Sequence, residues 1–367
     1  MSSMTTISII LHLSFSSFLS LPPLTSASYN VTALYAFGDS TVDAGNNNHF
    51  NTPLRSDHLP YGRDLPQHDP TGRFSNGKLS TDYLANILGL KELLHAYLNP
   101  NVTNHDLLTG VTFGSGGSGL DNRTTAVTGV LDLDKQFELF EEVLKRVRKI
   151  VGKEKAENVM NNALFVISSG TNDMMYNAYG FPTRVLQFGS VQCYQHFLLQ
   201  NLLSFIQKCG LQKLHRRGAR RIMVAGLPPI GCLPLLVTVN SILPSQHWFQ
   251  RVCNVQQNKD SQDYNMKLQS HIHSLHNNLK DAKVGYFDIY TPILDMAQNP
   301  DKYGFKETLT GCCGTGLLEI GPGCNKFDIT CLDATKYLFW DAVHPTQSGY
   351  WFLAQNAQQT VLPYVAS

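Results

Sequence analysis

Five short apolar runs, Ala33 to Phe37, Val111 to Gly114, Ala163 to Ser168, Arg221 to Ala225 and Val284 to Phe287, punctuate the chain. Each is too short for a helix, and several are β-rich, so each reads as a buried strand. Helix-like stretches lie between and after them, over 80–88, 133–151, 191–217, 245–280 and 346–361. Strand and helix therefore alternate, which predicts a three-layer α/β/α sandwich around a central parallel sheet of about five strands. No repeat or linker-like stretch divides 28–367, so one domain is expected there. The Pro-, Gly- and Cys-rich segment 297–332 reads as a long irregular insertion.

Composition narrows the class without naming a partner. At 43% apolar and 16% charged residues, 367 residues can bury a large core. Twenty-nine Lys+Arg against 28 Asp+Glu leave no overall field to attract nucleic acid or an anionic membrane.

The N-terminus points to a compartment. From Ile7 to Leu24 the chain is apolar and Ser-rich, broken by Pro22 and Pro23, and Thr25-Ser26-Ala27 supplies small residues of the kind a signal peptidase reads. Residues 1–27 are expected to be a cleaved signal peptide, not a membrane anchor, although no Lys or Arg precedes Ile7. Asn30, Asn101 and Asn122 each begin an Asn-x-Thr sequon, the form of a glycosylation acceptor. Cys193, Cys209, Cys232, Cys253, Cys312, Cys313, Cys324 and Cys331 are an even set, and in an oxidising compartment they are expected to form disulfides. Their spacing lacks the paired C-x-x-C of a structural zinc site. Secretion is the expected destination, with a vacuolar or other secretory compartment left open.

The chemistry gathers at strand ends, where open parallel sheets place functional groups. Ser40 follows the first run, in F-G-D-S-T; Gly116 follows the second, in G-S-G-G-S-G; Asn172 follows the third, in S-G-T-N-D. A serine hydroxyl becomes a nucleophile only when a base takes its proton and donors meet the oxyanion it creates. The Gly116 backbone N–H, the Asn172 amide and Ser40's own N–H are candidate donors. Asp341 and His344, in W-D-A-V-H-P-T, are three residues apart, so the carboxylate can reach and orient the imidazole that would act as base. Asp39 lies beside the nucleophile, yet adjacent residues on an exiting strand point in different directions, so it is assigned to shaping the turn.

Together with G-R-F-S-N-G-K at 72–78 and G-L-P-P-I-G-C-L-P at 226–234, these blocks run from Ala33 to Thr346. Their order and content resemble the GDSL lipase/esterase family of the SGNH hydrolase superfamily, particularly its plant branch. The resemblance implies a flavodoxin-like α/β/α fold and ester hydrolysis. Ser40 would be the nucleophile, Asp341 and His344 the rest of the triad, and Gly116 and Asn172 the oxyanion donors. Thr41 stands where the family name has Leu, and Gly114 where Ala is usual; Thr41 is the nearest place for an effect on acyl specificity.

Other signals weigh less. Gly114, Gly116 and Gly119 fit G-x-G-x-x-G, but the Asn122 to Gly129 stretch intervenes where a dinucleotide site needs a helix. His271, His273 and His276 suggest metal ligands, although on a helix His271 points about 160° from His273. Lys213 to Arg217 read as cations at a helix C-terminus capped by Gly218. The expected protein is a secreted serine esterase or lipase working through an acyl-enzyme, with no cofactor and no metal, on a small-molecule or polymer-linked ester. An acyltransferase using the same residues and a catalytically silent binding protein are the alternatives.

Overall fold

The computed structural model describes residues 29–206, 218–242, 248–279 and 281–367, with side chains left out at 276–278. The leader at 1–27, Cys209 and the 213–217 cations lie outside those residues. Four strands, β1 (Leu34–Gly38), β2 (Leu164–Ser168), β3 (Arg221–Ala225) and β4 (Lys283–Phe287), form a parallel sheet in the order β1-β2-β3-β4. The run Val111 to Gly114 is not a full ladder strand. It lies parallel beside β1 through a bridge at Thr112, with Ala36 N–H donating to Val111 O and Phe113 N–H to Ala36 O. With that run on the outer edge, the sheet reverses direction beside β1, the topological switch point where ligand crevices form in open α/β sheets.

Alternation along the strands builds two cores. Tyr35 and Phe165 project toward one face and pack their rings on Phe140 of helix Leu133–Val151, at centroid distances of 5.6 Å. Phe37 joins Phe140 at 5.8 Å on the same face. On the other face Gly285 lies against Val361 and Val365, where a Cβ would come within 2.6 Å of their methyl groups. Helices Ser80–Ile87, Tyr290–Gln298 and Gln347–Thr360 complete that second layer. Burial on both faces is why the strands read as apolar runs instead of alternating ones.

The helix expectations held most closely where a cap was present. Asp132 accepts from Lys135 N–H at the start of Leu133–Val151, and Thr346 accepts from Gly349 N–H at the start of Gln347–Thr360. The helix expected from 245 starts instead at Val255. Cys253 is held to Cys232 by a disulfide, and Asn254 accepts from Gln257 N–H as the turn begins. The insertion at 297–332 is more regular than expected: it contains helix Pro300–Tyr303 and β5 (Glu307–Gly311), which pairs in parallel with β6 (Tyr337–Phe339). Disulfides Cys312–Cys331 and Cys313–Cys324 pin its remainder, while Cys193 is exposed and bonds to no cysteine among the described residues. The stretch read as interrupting the glycine motif is itself helical over Asn122–Thr128, capped by Asp121.

Candidate active site

Ser40 leaves the C-terminal end of β1 in a loop tied down by two aspartates. Asp39 accepts from Thr41 N–H at 3.0 Å and from the Thr41 hydroxyl at 2.7 Å, so it shapes the turn as expected. Burial raises its carboxyl, and the Thr41 hydrogen bonds oppose that. Asp43 accepts from Gly45 N–H, Asn46 N–H and Gly116 N–H at 2.7 to 2.9 Å, yet burial still pushes it up to about 6.

His344 arrives from the opposite end of the chain. It sits in a tight loop between β6 and helix Gln347–Thr360, closed by Trp340 N–H donating to His344 O at 2.7 Å. Its Nε2 lies 2.7 Å from Ser40 Oγ. Its Nδ1 lies 2.7 and 2.9 Å from the two oxygens of Asp341, which is fully buried. In the neutral tautomer with a proton on Nδ1, that nitrogen donates to Asp341 and Nε2 is left to accept from the serine. Asp341 also accepts from Val343 N–H and His344 N–H, and from a residue the sequence reading did not single out, Tyr61, whose hydroxyl donates to Oδ2 at 2.7 Å. That hydroxyl in turn accepts from Gly321 N–H at 2.8 Å, inside the loop closed by Cys313 and Cys324.

The G-R-F-S-N-G-K block supports the imidazole from behind. The Phe74 ring lies 4.9 Å from the His344 ring, and Asn76 accepts from Gln347 N–H at 2.8 Å. Arg73 makes a two-pronged buried ion pair with Asp82 at 2.8 Å and donates to Leu94 O, which fixes the block against helix Ser80–Ile87. Breaking such a pair by removing one partner costs about 3–5 kcal/mol.

The donors are arranged differently from expectation. Asn172 precedes the π-helix Asp173–Gly180, donates one amide hydrogen to Ser118 O at 2.8 Å, and lines the cleft beside Ser40. The other hydrogen of that amide remains for a ligand. Gly116 does not present its N–H to the cleft, because that group donates to Asp43. Its lack of a side chain serves the Phe74 ring, whose nearest carbon a Cβ would approach to 2.4 Å. Gly117 lines the cleft instead, at φ +88, and neither its N–H nor that of Ser40 has a hydrogen-bond partner among the described residues. Which of two adjacent glycines faces the serine depends on Asp43, and no local pattern reveals that.

Outside this cluster, Asn30, Asn101 and Asn122 are all exposed. His271 is half-buried and His273 exposed on helix Val255–Asn278. Among the described residues no group of three or more potential metal ligands occurs, and no helix is long and apolar enough to cross a membrane.

A hydroxyl, an imidazole and a buried carboxylate thus stand in series at the C-terminal edge of a parallel sheet, an arrangement compatible with hydrolysis by a serine nucleophile. Residues 34–357 match the GDSL-like lipase/acylhydrolase family. A GDSL esterase/lipase of Arabidopsis thaliana is 50% identical over 94% of this chain and 94% of its own length. A second from that plant is 44% identical over 87% and 86%. The chain belongs to the GDSL-like lipase/acylhydrolase family and, with it, to the carboxylic ester hydrolases. Among solved structures, an acetylxylan esterase from Geobacillus stearothermophilus aligns over 92% of this chain and 97% of its own, with 13% identity and a TM-score of 0.37.

Proposed function

We propose that this protein is a secreted serine esterase that cleaves carboxylic esters through an acyl-enzyme on Ser40. The observation that carries the reading is the 2.7 Å approach of His344 Nε2 to Ser40 Oγ, with Asp341 on the other ring nitrogen. As Oγ attacks the carbonyl carbon, His344 takes its proton and Asp341 stabilises the imidazolium. The oxyanion is met by the N–H groups of Ser40 and Gly117 and by the Asn172 amide, Gly117 replacing Gly116 in that role. One such donor is worth typically ~3 to 4 kcal/mol of transition-state stabilisation. The intermediate collapses, His344 gives its proton to the departing alcohol, and water repeats the sequence to release the acid.

Secretion is supported by the leader-like residues 1–27, the exposed sequons at Asn30, Asn101 and Asn122, and the three disulfides. A single domain over 28–367 is supported by the main hydrophobic cluster, which draws on residues from Val31 to Ala366. The test is a fluorophosphonate probe on the mature protein. Labelling should map to Ser40, and Ser40→Ala should abolish both labelling and ester cleavage; cleavage that survives in that variant overturns the mechanism.

A further inference from the structure

Two spaces meet at Ser40, and they differ in shape and lining. The smaller cleft lies on the Gly117 and Tyr176 side, with an empty volume of about 280 Å³. The larger, about 770 Å³ with its mouth included, runs from Ser40 into the layer between the sheet and the helices on its second face. Leu84, Val166, Phe287, Ile293, Tyr350 and Leu353 form much of its wall. Resting on the serine-esterase reading above, we propose that this larger space is the acyl site and that it selects an unbranched, uncharged aliphatic acyl chain longer than butyryl.

Three observations carry the assignment. No Lys, Arg or Glu lines the space, and the ionisable groups that do, Asp39 and His344, flank Ser40 and belong to the reaction end; Tyr350 adds only a phenol in the wall. An acyl group carrying a carboxylate or phosphate would therefore be buried without a counter-charge. Of the hydroxyls along the wall, Thr41 is engaged with Asp39 and Ser168 and Ser80 with the Tyr350 carbonyl, while the Tyr350 hydroxyl is buried without a partner among the described residues. What faces the space is mainly carbon, the surface a methylene chain covers and a sugar does not. Finally, the acyl chain and the alcohol leave an ester carbonyl in opposite directions. The smaller cleft, lined by Gly117, Leu54 and Ile320, is the other space at Ser40, so it takes the alcohol side.

Burying one methylene changes binding by roughly fourfold. The kcat/KM for p-nitrophenyl esters should therefore climb from acetyl through butyryl to octanoyl by at least about tenfold overall, then level off or fall at lauroyl or palmitoyl. Filling the space with Ile293→Trp should lower the octanoyl-to-acetyl ratio by about tenfold or more. Should that variant not fold, wild-type protein alone decides, through the rates at which ethyl and octyl phosphonates label Ser40; the octyl probe should label faster by a similar factor. A flat series, or one highest at acetyl, with Ser40 still labelled, overturns the acyl-site proposal and leaves the serine-esterase reading intact. No cleavage of any ester together with no labelling overturns that reading and this proposal with it.

Discussion

Replacing Tyr61 by Phe tests whether the carboxylate of the proposed triad needs a fourth group to hold it. The change deletes one oxygen, which donates to Asp341 Oδ2 at 2.7 Å and accepts from Gly321 N–H at 2.8 Å. Burial and the neighbouring Asp341 carboxylate raise the Tyr61 phenol well above its ordinary range, so it is a dependable donor at any working pH. A hydrogen bond to a charged acceptor is worth about 1.5–3 kcal/mol, and the buried Gly321 N–H left without a partner adds about 1–3 kcal/mol. Stability should fall by roughly 2.5–6 kcal/mol, a substantial part of the ~5–15 kcal/mol typical of a domain. Asp341 keeps the Val343 and His344 N–H groups and the imidazole itself, so the loss in rate should sit at the lower end of the bond's worth. A barrier higher by about 1.4 kcal/mol is a tenfold lower kcat. Tyr61 lines neither space at Ser40, so KM should stay within about twofold while kcat and the phosphonate labelling rate fall together. Steady-state kinetics and urea unfolding on the same preparation separate the cases. A variant that loses stability yet keeps wild-type kcat would make Tyr61 scaffold alone, and a rise in KM at constant kcat would place it on the substrate.

Two further outcomes follow from the same geometry. Ala at both Cys313 and Cys324 should lower stability by about 2–4 kcal/mol. Because Gly321 lies within that loop and reaches Asp341 only through Tyr61, its effect on kcat should be strongly less than additive with Tyr61→Phe in a double-mutant cycle; full additivity refutes the link. Burial raises the Asp173 carboxyl to about 7, against about 4 in an unfolded chain, so the native state holds the extra proton between those values. The Asp173 contribution to stability is then full below about pH 4 and is lost as pH rises from there through 7. Urea melts should show the wild-type advantage over Asp173→Asn shrinking from pH 5 to pH 8, and a growing advantage contradicts the assignment.

The fold was legible where burial imposed a pattern. β2 and β3 lie in the middle of the sheet, covered on both faces, and their apolar runs mark them to within a residue. Helix Leu133–Val151 has an apolar stripe and a capping aspartate, and both its ends were readable. Short helices such as Asn104–Thr109 and Asn122–Thr128 have too few turns to set up a period, and they went unseen. At the site, Ser40, Asn172, Asp341 and His344 stood out because strand ends and a three-residue spacing are local features. Tyr61 did not, because its partner is 280 residues away and its own surroundings are a loop without periodicity. Gly117 was hidden by its neighbour: a close pair of glycines carries no sign of which N–H a distant carboxylate will take.

That last point explains why the site's scaffold is so acidic without being charged against cations. Each loop that presents a reactive group also carries a buried aspartate whose acceptors are met by hydroxyl or backbone donors. Asp39 and Asp43 hold the Ser40 loop, and Asp43 reaches across to Gly116. Asp173, next to Asn172, accepts from Leu120 N–H, Asp121 N–H and the Thr124 hydroxyl at 2.6 to 2.9 Å. Asp341 holds the turn that carries His344. A carboxylate accepts from several directions at once, so a single side chain can gather several N–H and O–H donors and fix two loops relative to each other. Burial then selects against ionisation at Asp43 and Asp173, whose role is to hold backbone, while Asp341 has the His344 imidazole hydrogen-bonded beside it. The same residue type thus serves as clamp and as proposed triad member, and the difference lies in whether a histidine or only peptide and hydroxyl groups stand opposite.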